Sequence, residues 1–197
     1  MGRLYFLFCF LLFWQFAMGQ VQPPSWACRD MAGLSGEQFD SLQVLYLHEK
    51  ELEDWPKEMR QAKGLRRLWL RKMSYMDLPV ILEQLQYQPQ LEQLFLSENE
   101  LSFLPASIAN LQALRILYLD QNELDQLPEA LGQLQDLEEL HLGDNQLEQL
   151  PQWLEDLPNL KKLYVQGNPL SLETDESRAA WEELFKEKKI HCQWNKQ

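Results

Sequence analysis

A leucine pattern that recurs every 23 residues constrains this chain more than any other feature. In its most regular form it reads LEQLFLSENELSFLP, LRILYLDQNELDQLP and LEELHLGDNQLEQLP. Leucines stand at the first, fourth, sixth, eleventh and fourteenth places, and proline follows at the fifteenth. Five full copies and a partial sixth begin at Leu42, Leu65, Leu91, Leu114, Leu137 and Leu160. Because each copy has only a thin apolar edge, the copies must stack on one another to close a core.

Each copy combines a strand pattern with a helical one. LxxLxL alternates at period two, so Leu94 and Leu96 point to one side of a strand and Phe95 to the other. The proline ends strand pairing, and apolar residues three apart follow it, which predicts a short helical or 3₁₀ segment. Residues 42–170 thus resemble the leucine-rich repeat family in its typical 23-residue form. The resemblance implies an α/β solenoid with a curved parallel sheet on its concave face and short helical segments on its convex face.

Asparagine stands at the ninth place of four copies, as Asn99, Asn122, Asn145 and Asn168. A primary amide both donates and accepts hydrogen bonds, so a column of amides satisfies backbone groups where the chain leaves each strand. The family resemblance implies such a structural ladder. In the first two copies the ninth place holds Lys50 and Met73, which cannot both donate and accept. We therefore expect these copies to be less regular.

Residues 1–19 have the pattern of a signal peptide. Arg3 precedes an apolar run, and the small residues Ala17 and Gly19 predict cleavage after Gly19. Polar residues and prolines end the run before the roughly 20 apolar residues that a membrane-spanning helix needs. An uncleaved anchor is the weaker alternative. The mature chain is therefore predicted to be secreted or periplasmic and not an integral membrane protein.

Residues 20–41 and 171–197 flank the copies and are expected to cap them, since a stacked sheet otherwise exposes leucines and strand edges. The second segment predicts an amphipathic capping helix, with acids at its start and lysines at its end, followed by a short strand through Cys192. Cys28 lies in the first segment. Since a disulfide needs its Cα atoms within about 7 Å, caps at opposite ends keep the two cysteines apart.

The fifth place of the copies forms a column of rings. In the family this place, with the third, seventh and eighth, reaches the concave surface. The column reads Tyr46, Trp69, Phe95, Tyr118, His141 and Tyr164. Arg67 and Arg71 flank the tryptophan. Two interpretations stay open: the rings help neighbouring strands pack, or they form an exposed ridge for recognition, because Trp, Tyr and Arg dominate binding hot spots.

Charge is distributed unevenly along the chain. The formal net charge is −12, which makes nucleic acid or an anionic membrane surface a poor partner. Residues 91–159 contain one Arg, no Lys and fourteen acidic residues, whereas the second copy carries four cations between positions 66 and 72. Such polarity favours one docking orientation of a partner.

These features favour a non-catalytic, exported protein-interaction module without cofactor or metal, which binds its partner through the six rings and the two arginines. His48 and His141 lie four strands apart, about 19 Å, and cannot share a metal. Weaker candidates for a Ca²⁺ site are Glu98, Asp120 and Asp144 on neighbouring copies. The alternative function is a glycan or cell-wall polymer binder in which the same rings stack on sugars. A third interpretation is a structural spacer.

Overall fold

The computed structural model of the chain describes residues 27–28, 41–48, 51–52, 57–73, 75–170 and 175–194. Within these ranges the strands are β1 Ala27–Cys28, β2 Val44–His48, β3 Glu51–Leu52, β4 Arg67–Arg71, β5 Tyr75–Met76, β6 Gln93–Phe95, β7 Ile116–Tyr118, β8 Glu139–His141, β9 Lys162–Tyr164 and β10 His191–Gln193. The α-helices are α1 Leu78–Leu85 and α2 Asp175–Glu187, and the 3₁₀ helices are Lys57–Gln61, Ala106–Asn110, Glu129–Gln133 and Gln152–Asp156. The signal segment predicted for residues 1–19 lies outside the described residues.

Eight of the strands form one parallel sheet in the order β1-β2-β4-β6-β7-β8-β9-β10. Each strand pairs with the strand of the next copy in the same register, so that equal places of neighbouring copies lie side by side. Trp69, for example, lies beside Phe95, and Phe95 beside Tyr118. This register turns the repeat of the sequence into columns of side chains that run across the sheet. The predicted α/β solenoid is confirmed.

The leucines build the core as the period-two pattern requires. Leu94, Leu117, Leu140 and Leu163 at the fourth place are fully buried, while both neighbours of each in its strand are only half-buried. The first, sixth and eleventh places add further buried leucines, and the buried residues form one continuous cluster along the solenoid. Burial of a leucine contributes roughly 1.5–3 kcal/mol, so the repeated leucines supply the main driving force for stacking.

The chain returns over the other side of the core in short helices. Pro105, Pro128 and Pro151 each precede a 3₁₀ helix with φ between −64° and −71° and an extended ψ. Proline fixes this φ and donates no backbone hydrogen bond, so it ends the extended segment without leaving an N–H unpaired. The predicted helical or 3₁₀ segment after each proline is therefore confirmed, and its apolar residues Ile108, Leu131 and Leu154 are buried.

The first two copies differ from the later ones. Their strands β2 and β4 have five residues instead of three, and β3 pairs with β5 in a separate two-stranded sheet. The second copy returns through α1, an α-helix that the three extra residues of this copy accommodate. Asp77 caps α1 by accepting a hydrogen bond from the Val80 N–H at 3.2 Å. The buried positions of α1 follow helical spacing and are Leu78, Ile81, Leu82 and Leu85.

Strands continue beyond the repeats at both edges of the sheet. At the C-terminal edge, α2 precedes β10, which pairs with β9. Phe185 of α2 is buried and its ring lies 5.3 Å from that of Trp181 and 6.0 Å from that of Trp194. At the other edge, β1 pairs with β2. Seven strand spacings separate β1 from β10, about 34 Å, so Cys28 and Cys192 lie far beyond the reach of a disulfide, and Cys192 is a free thiol.

A column of left-handed residues marks the point where each copy turns away from its strand. At the eighth place, φ is +51° in Lys72, +61° in Glu98, +56° in Gln121, +54° in Asp144 and +76° in Gly167. Only the last of these is a glycine, the residue that adopts this conformation without steric cost. The stacked copies over-determine the turn, because backbone hydrogen bonds to the next copy, such as Gln121 N–H to Gly143 C=O at 2.9 Å, hold it in place.

Candidate functional site

The six rings of the fifth place stack face to face into one column across the sheet. The ring centroids lie 4.4 Å apart for Tyr46 and Trp69, 4.1 Å for Trp69 and Phe95, and 4.6 Å for Phe95 and Tyr118. The column continues through His141, 3.7 Å from Tyr118 and 4.1 Å from Tyr164. Interplanar angles do not exceed 27°. The parallel register therefore brings all six predicted ring residues together, which we call the ring column.

Stacking decides which part of each ring remains available. The four inner rings have a neighbour on both faces, and every member of the column is half-buried. Burial raises the pKa of the Tyr118 phenol to about 12, with a further contribution from the carboxylates of Glu139 and Asp120. A ligand thus meets the edges of the rings, which carry partial positive charge, and not their faces.

The two arginines beside Trp69 differ in their surroundings. Arg71 donates a hydrogen bond to Glu98 of the next copy, and Lys72 lies 3.5 Å from the same carboxylate. These contacts lower the pKa of Glu98. Arg67 is exposed and forms no ion pair with any residue that the structure describes. Of the two predicted donors, Arg67 therefore keeps its guanidinium available, whereas Arg71, half exposed at 50%, is already paired.

A ladder of alternating charges runs along the second place, parallel to the ring column. Its members are Arg66, Glu92, Arg115, Glu138 and Lys161. Arg66 pairs with Glu92, while Glu138 accepts from Arg115 on one side and from Lys161, at 2.6 Å, on the other. The two cations lower the pKa of Glu138. This ladder was not predicted, although the charge at the second place changes sign from each of these copies to the next in the sequence.

His141 is half-buried, with 12% of its side chain accessible. Its Nε2 is buried, lies 3.7 Å from Glu139 Oε2, and forms no hydrogen bond within the described part of the chain. Burial lowers its pKa to about 4, against the opposing effect of Glu139, whose carboxylate is paired with Lys162 at 2.6 Å. The ring is therefore a neutral member of the column at neutral pH.

The carboxylate of Asp120 lies beside the column on the same face. It accepts a hydrogen bond from the Gly143 N–H at 2.9 Å. Burial raises its pKa to about 6, although this hydrogen bond acts in the opposite direction. No cation among the described residues pairs with it. Asp120 is thus a half-buried carboxylate without a counter-charge among the described residues, and carboxylates with a raised pKa are enriched at functional sites.

The four asparagines of the ninth place connect successive copies through their side chains. Asn122 is 7% exposed and accepts from the N–H groups of Asn99 and Leu101 at 3.0 Å. Its amide donates to the carbonyls of Leu96 and Leu119 at 2.9 Å. Equivalent bonds are made by Asn99, Asn145 and Asn168. These amides satisfy buried backbone groups and present nothing to a ligand.

The three acids considered for Ca²⁺ do not form a common cluster. Glu98 is paired with Arg71 and Lys72, and Asp120 is bonded to Gly143. Asp144 leans over Gly167 of the next copy. Among the described residues, no group of three or more His, Cys, Asp or Glu side chains is arranged to hold a metal ion.

Comparison with known proteins places this geometry in a family. The family model described as a leucine-rich repeat region matches residues 25–191. The chain belongs to the leucine-rich repeat family. No curated protein matched the chain in sequence. None of the helices in the described ranges is both long and apolar enough to cross a bilayer.

Solved structures of similar fold include three proteins from two bacteria. A leucine-rich repeat protein of Leptospira interrogans is 29% identical, with 80% of this chain and 44% of that chain covered and a TM-score of 0.59. Internalin C2 of Listeria monocytogenes is 19% identical over 78% of this chain and 62% of its own, with a TM-score of 0.59. Another internalin of that organism is 19% identical, with 86% of this chain and 44% of that chain covered and a TM-score of 0.58. The chain spans about half the length of these proteins, and the internalins support the fold alone.

Proposed function

We propose that this chain is an exported, non-catalytic binding module that recognises a protein partner across the concave ring column, with Arg67 and Arg71 beside it. The observation that carries the proposal is the column itself. Six rings in one line, half-buried and rigidified by mutual stacking, supply apolar contact area at little cost in conformational entropy. Membership of a family of protein-interaction modules supports the same reading.

Export is proposed from the sequence. Residues 1–19 have the composition of a signal peptide, and residues 20–41 and 171–197 are proposed as the caps of the mature solenoid. Strand β1 at one edge and α2 with β10 at the other support this division, because each end continues the sheet beyond the repeats at 42–170.

The stacked geometry favours a protein partner over a glycan. Sugar rings bind aromatic residues by stacking on an open ring face, but in the column both faces of Trp69, Phe95, Tyr118 and His141 are covered by neighbouring rings. The exposed ring edges instead suit backbone carbonyls and carboxylates, which proteins present along an extended surface.

A crosslinked pull-down from the extracellular or periplasmic fraction tests the proposal. Purified chain, Trp69→Ala and Phe103→Ala serve as baits. Phe103 is 59% exposed and lies outside the sheet, so it is the matched control for loss of an aromatic residue. We expect the same protein with wild type and the control, and its loss with Trp69→Ala. Protease treatment of the fraction should abolish capture and soluble oligosaccharides should not compete. Equal capture by all three baits would show that the partner does not bind the concave face.

Trp69→Ala must be shown to fold before its binding is interpreted. Trp69 stacks on two rings, and each such pair contributes about 0.5–1.5 kcal/mol, so the substitution costs stability as well as binding surface. Ile116→Lys provides an independent variant. Ile116 lies two residues before Tyr118 on the same face, between Gln93 and Glu139, and its replacement blocks the surface without removing a ring.

A further inference from the structure

The concave face has a second feature beside the ring column, at the glycine of the fifth copy. Gly143 is buried and occupies the seventh place, where the neighbouring copies carry Asp120 and Gln166. Both of these side chains lean over the glycine. A Cβ atom on Gly143 would lie 3.0 Å from Asp120 Oδ1 and would clash with Gln166 Nε2. The missing side chain thus brings a carboxylate and a primary amide from two different copies to one point, the Gly143 notch.

The Gln166 amide turns its Nε2 toward Gly143, and the acceptors of the two side chains, the half-buried Asp120 carboxylate and Gln166 Oε1, lack the partners that burial normally demands. Asp120 has one backbone N–H at 2.9 Å and no cation among the described residues. Gln166 Oε1 is fully buried and accepts no hydrogen bond from any residue in those ranges. A half-buried charge without a counter-charge and a buried carbonyl without a donor both cost free energy. Such groups persist in native proteins where ordered water or a ligand supplies the missing partner.

We propose that Asp120 and Gln166 form a subsite for a basic side chain, arginine or lysine, of the protein bound on the concave face. This inference rests on the proposed function and specifies the chemistry of the partner. A guanidinium or ammonium group brings both the positive charge that the carboxylate lacks and the N–H donors that the amide oxygen lacks. The terminal torsion of glutamine is soft, so Oε1 turns toward an incoming donor at small cost.

Other ligand classes fit the notch poorly. An anionic group would meet Asp120 together with Asp144, whose charge further raises the pKa of Asp120. An apolar group would leave Asp120 without a counter-charge and Gln166 Oε1 without a donor while it excluded water from both, at a cost of about 1–3 kcal/mol for each group. The notch also lies in the acidic stretch of the chain, residues 91–159, whose field attracts cations and repels anions.

Selection of peptides from a random 12-residue phage-displayed library tests the inference. The baits are the full chain, Asp120→Asn and the matched control Asp125→Asn, which removes the same charge from an exposed position in the same copy. With wild type and the control we expect enriched peptides that carry Arg or Lys at one recurring position. A synthetic peptide of this type should bind Asp120→Asn at least tenfold more weakly. Replacing its basic residue by Gln should remove that difference between the baits.

The outcome for Trp69→Ala separates the two claims. Peptides that need Trp69 but bind Asp120→Asn as well as wild type would overturn the basic subsite and leave the proposed function standing. Peptides that need neither Trp69 nor Asp120, or the absence of any enriched peptide, would overturn both. Asp120→Asn removes a charge that has no counter-charge, so we expect the variant to be at least as stable as wild type. If its melting temperature equals or exceeds that of wild type, its loss of binding is not caused by unfolding.

A pH series adds a readout that belongs to Asp120. Its carboxyl titrates near pH 6, so affinity for the basic peptide should fall between pH 7.5 and 5 in wild type and the control but stay level in Asp120→Asn. The other charged groups around it do not titrate in that window: the pKa of Glu98 is lowered by Arg71, and His141 titrates near 4. The exposed Asp144 is present in all three baits. A parallel fall in every bait would contradict the assignment.

Discussion

Replacing Asn122 by alanine should destabilise the protein far more than its size suggests. The side chain makes five hydrogen bonds, all to backbone groups, at 2.9 to 3.3 Å. Alanine leaves the N–H groups of Asn99 and Leu101 and the carbonyls of Leu96 and Leu119 without these partners. At about 1 kcal/mol for each of the four shorter bonds the loss is roughly 4 kcal/mol. Water that enters the vacated space can bond some of these groups, and the smallest loss of unfolding free energy that we expect is then about 2 kcal/mol.

The assay is equilibrium unfolding in urea, followed by tryptophan fluorescence and by circular dichroism. Asn159→Ala is the matched control, because Asn159 is exposed and makes one amide hydrogen bond, to Gln135 C=O at 2.9 Å. We expect a loss of about 0.5 kcal/mol or less for the control. The two probes must agree, since stacked repeats do not always unfold in one step.

Hydrogen exchange locates the effect. The amides of Asn99 and Leu101 should exchange faster in Asn122→Ala than in wild type, by more than the change in global stability explains. A loss of stability below about 1 kcal/mol, or unchanged protection of these two amides, would refute the reasoning that the ninth-place asparagines hold the turns together.

Three further predictions follow from the electrostatics and the topology. Asp120→Asn should raise the free energy of unfolding at pH 7, by at most about 3 kcal/mol, because the folded-state pKa is raised from 3.8 to about 6. The ionised carboxylate destabilises the folded wild type fully above pH 6, and this cost disappears once the carboxyl is protonated in both the folded and the unfolded state. The extra stability of Asp120→Asn should therefore vanish below about pH 4 in a pH series of thermal melts. Arg115→Met should lower the free energy of unfolding in urea by less than about 1 kcal/mol. Glu138 raises the pKa of Arg115, but 52% of the arginine side chain is exposed to solvent, which weakens the ion pair. A larger loss would show that the charge ladder acts cooperatively. Burial raises the pKa of the Cys192 thiol to about 12, so it should react with iodoacetamide only after denaturation, and mass spectrometry of the native protein should find no link to Cys28.

The repeat predicted the fold well because one physical requirement, burial of leucines on one side of a strand, recurs in every copy. It fixed which residues share a column, and so the sequence alone placed Tyr46, Trp69 and Tyr118 on one face. It did not predict that the rings would stack, because stacking depends on side-chain rotamers that the pattern leaves free. The pairing of Arg71 with Glu98 was missed for a similar reason: it joins residues 27 positions apart and needs the register of the sheet.

Other features had weaker signals in the sequence. Only Gly167 and Asp144 indicate the left-handed eighth place in the sequence, since Lys72, Glu98 and Gln121 in the other described copies disfavour that conformation. The Gly143 notch was visible only as one glycine in a column of polar residues. The proposed role of the notch depends on the side chains of Asp120 and Gln166, which belong to the copies on either side and lie over the glycine.

Capture of a partner by wild type and by Ile116→Lys tests the central claim most directly. This variant keeps all six rings and places a charged side chain beside the ring column on the concave face. If the column recognises a protein, the crosslinked pull-down should yield that protein with wild type and with Phe103→Ala, and lose it with Ile116→Lys at unchanged thermal stability. Equal recovery with Ile116→Lys would contradict the account.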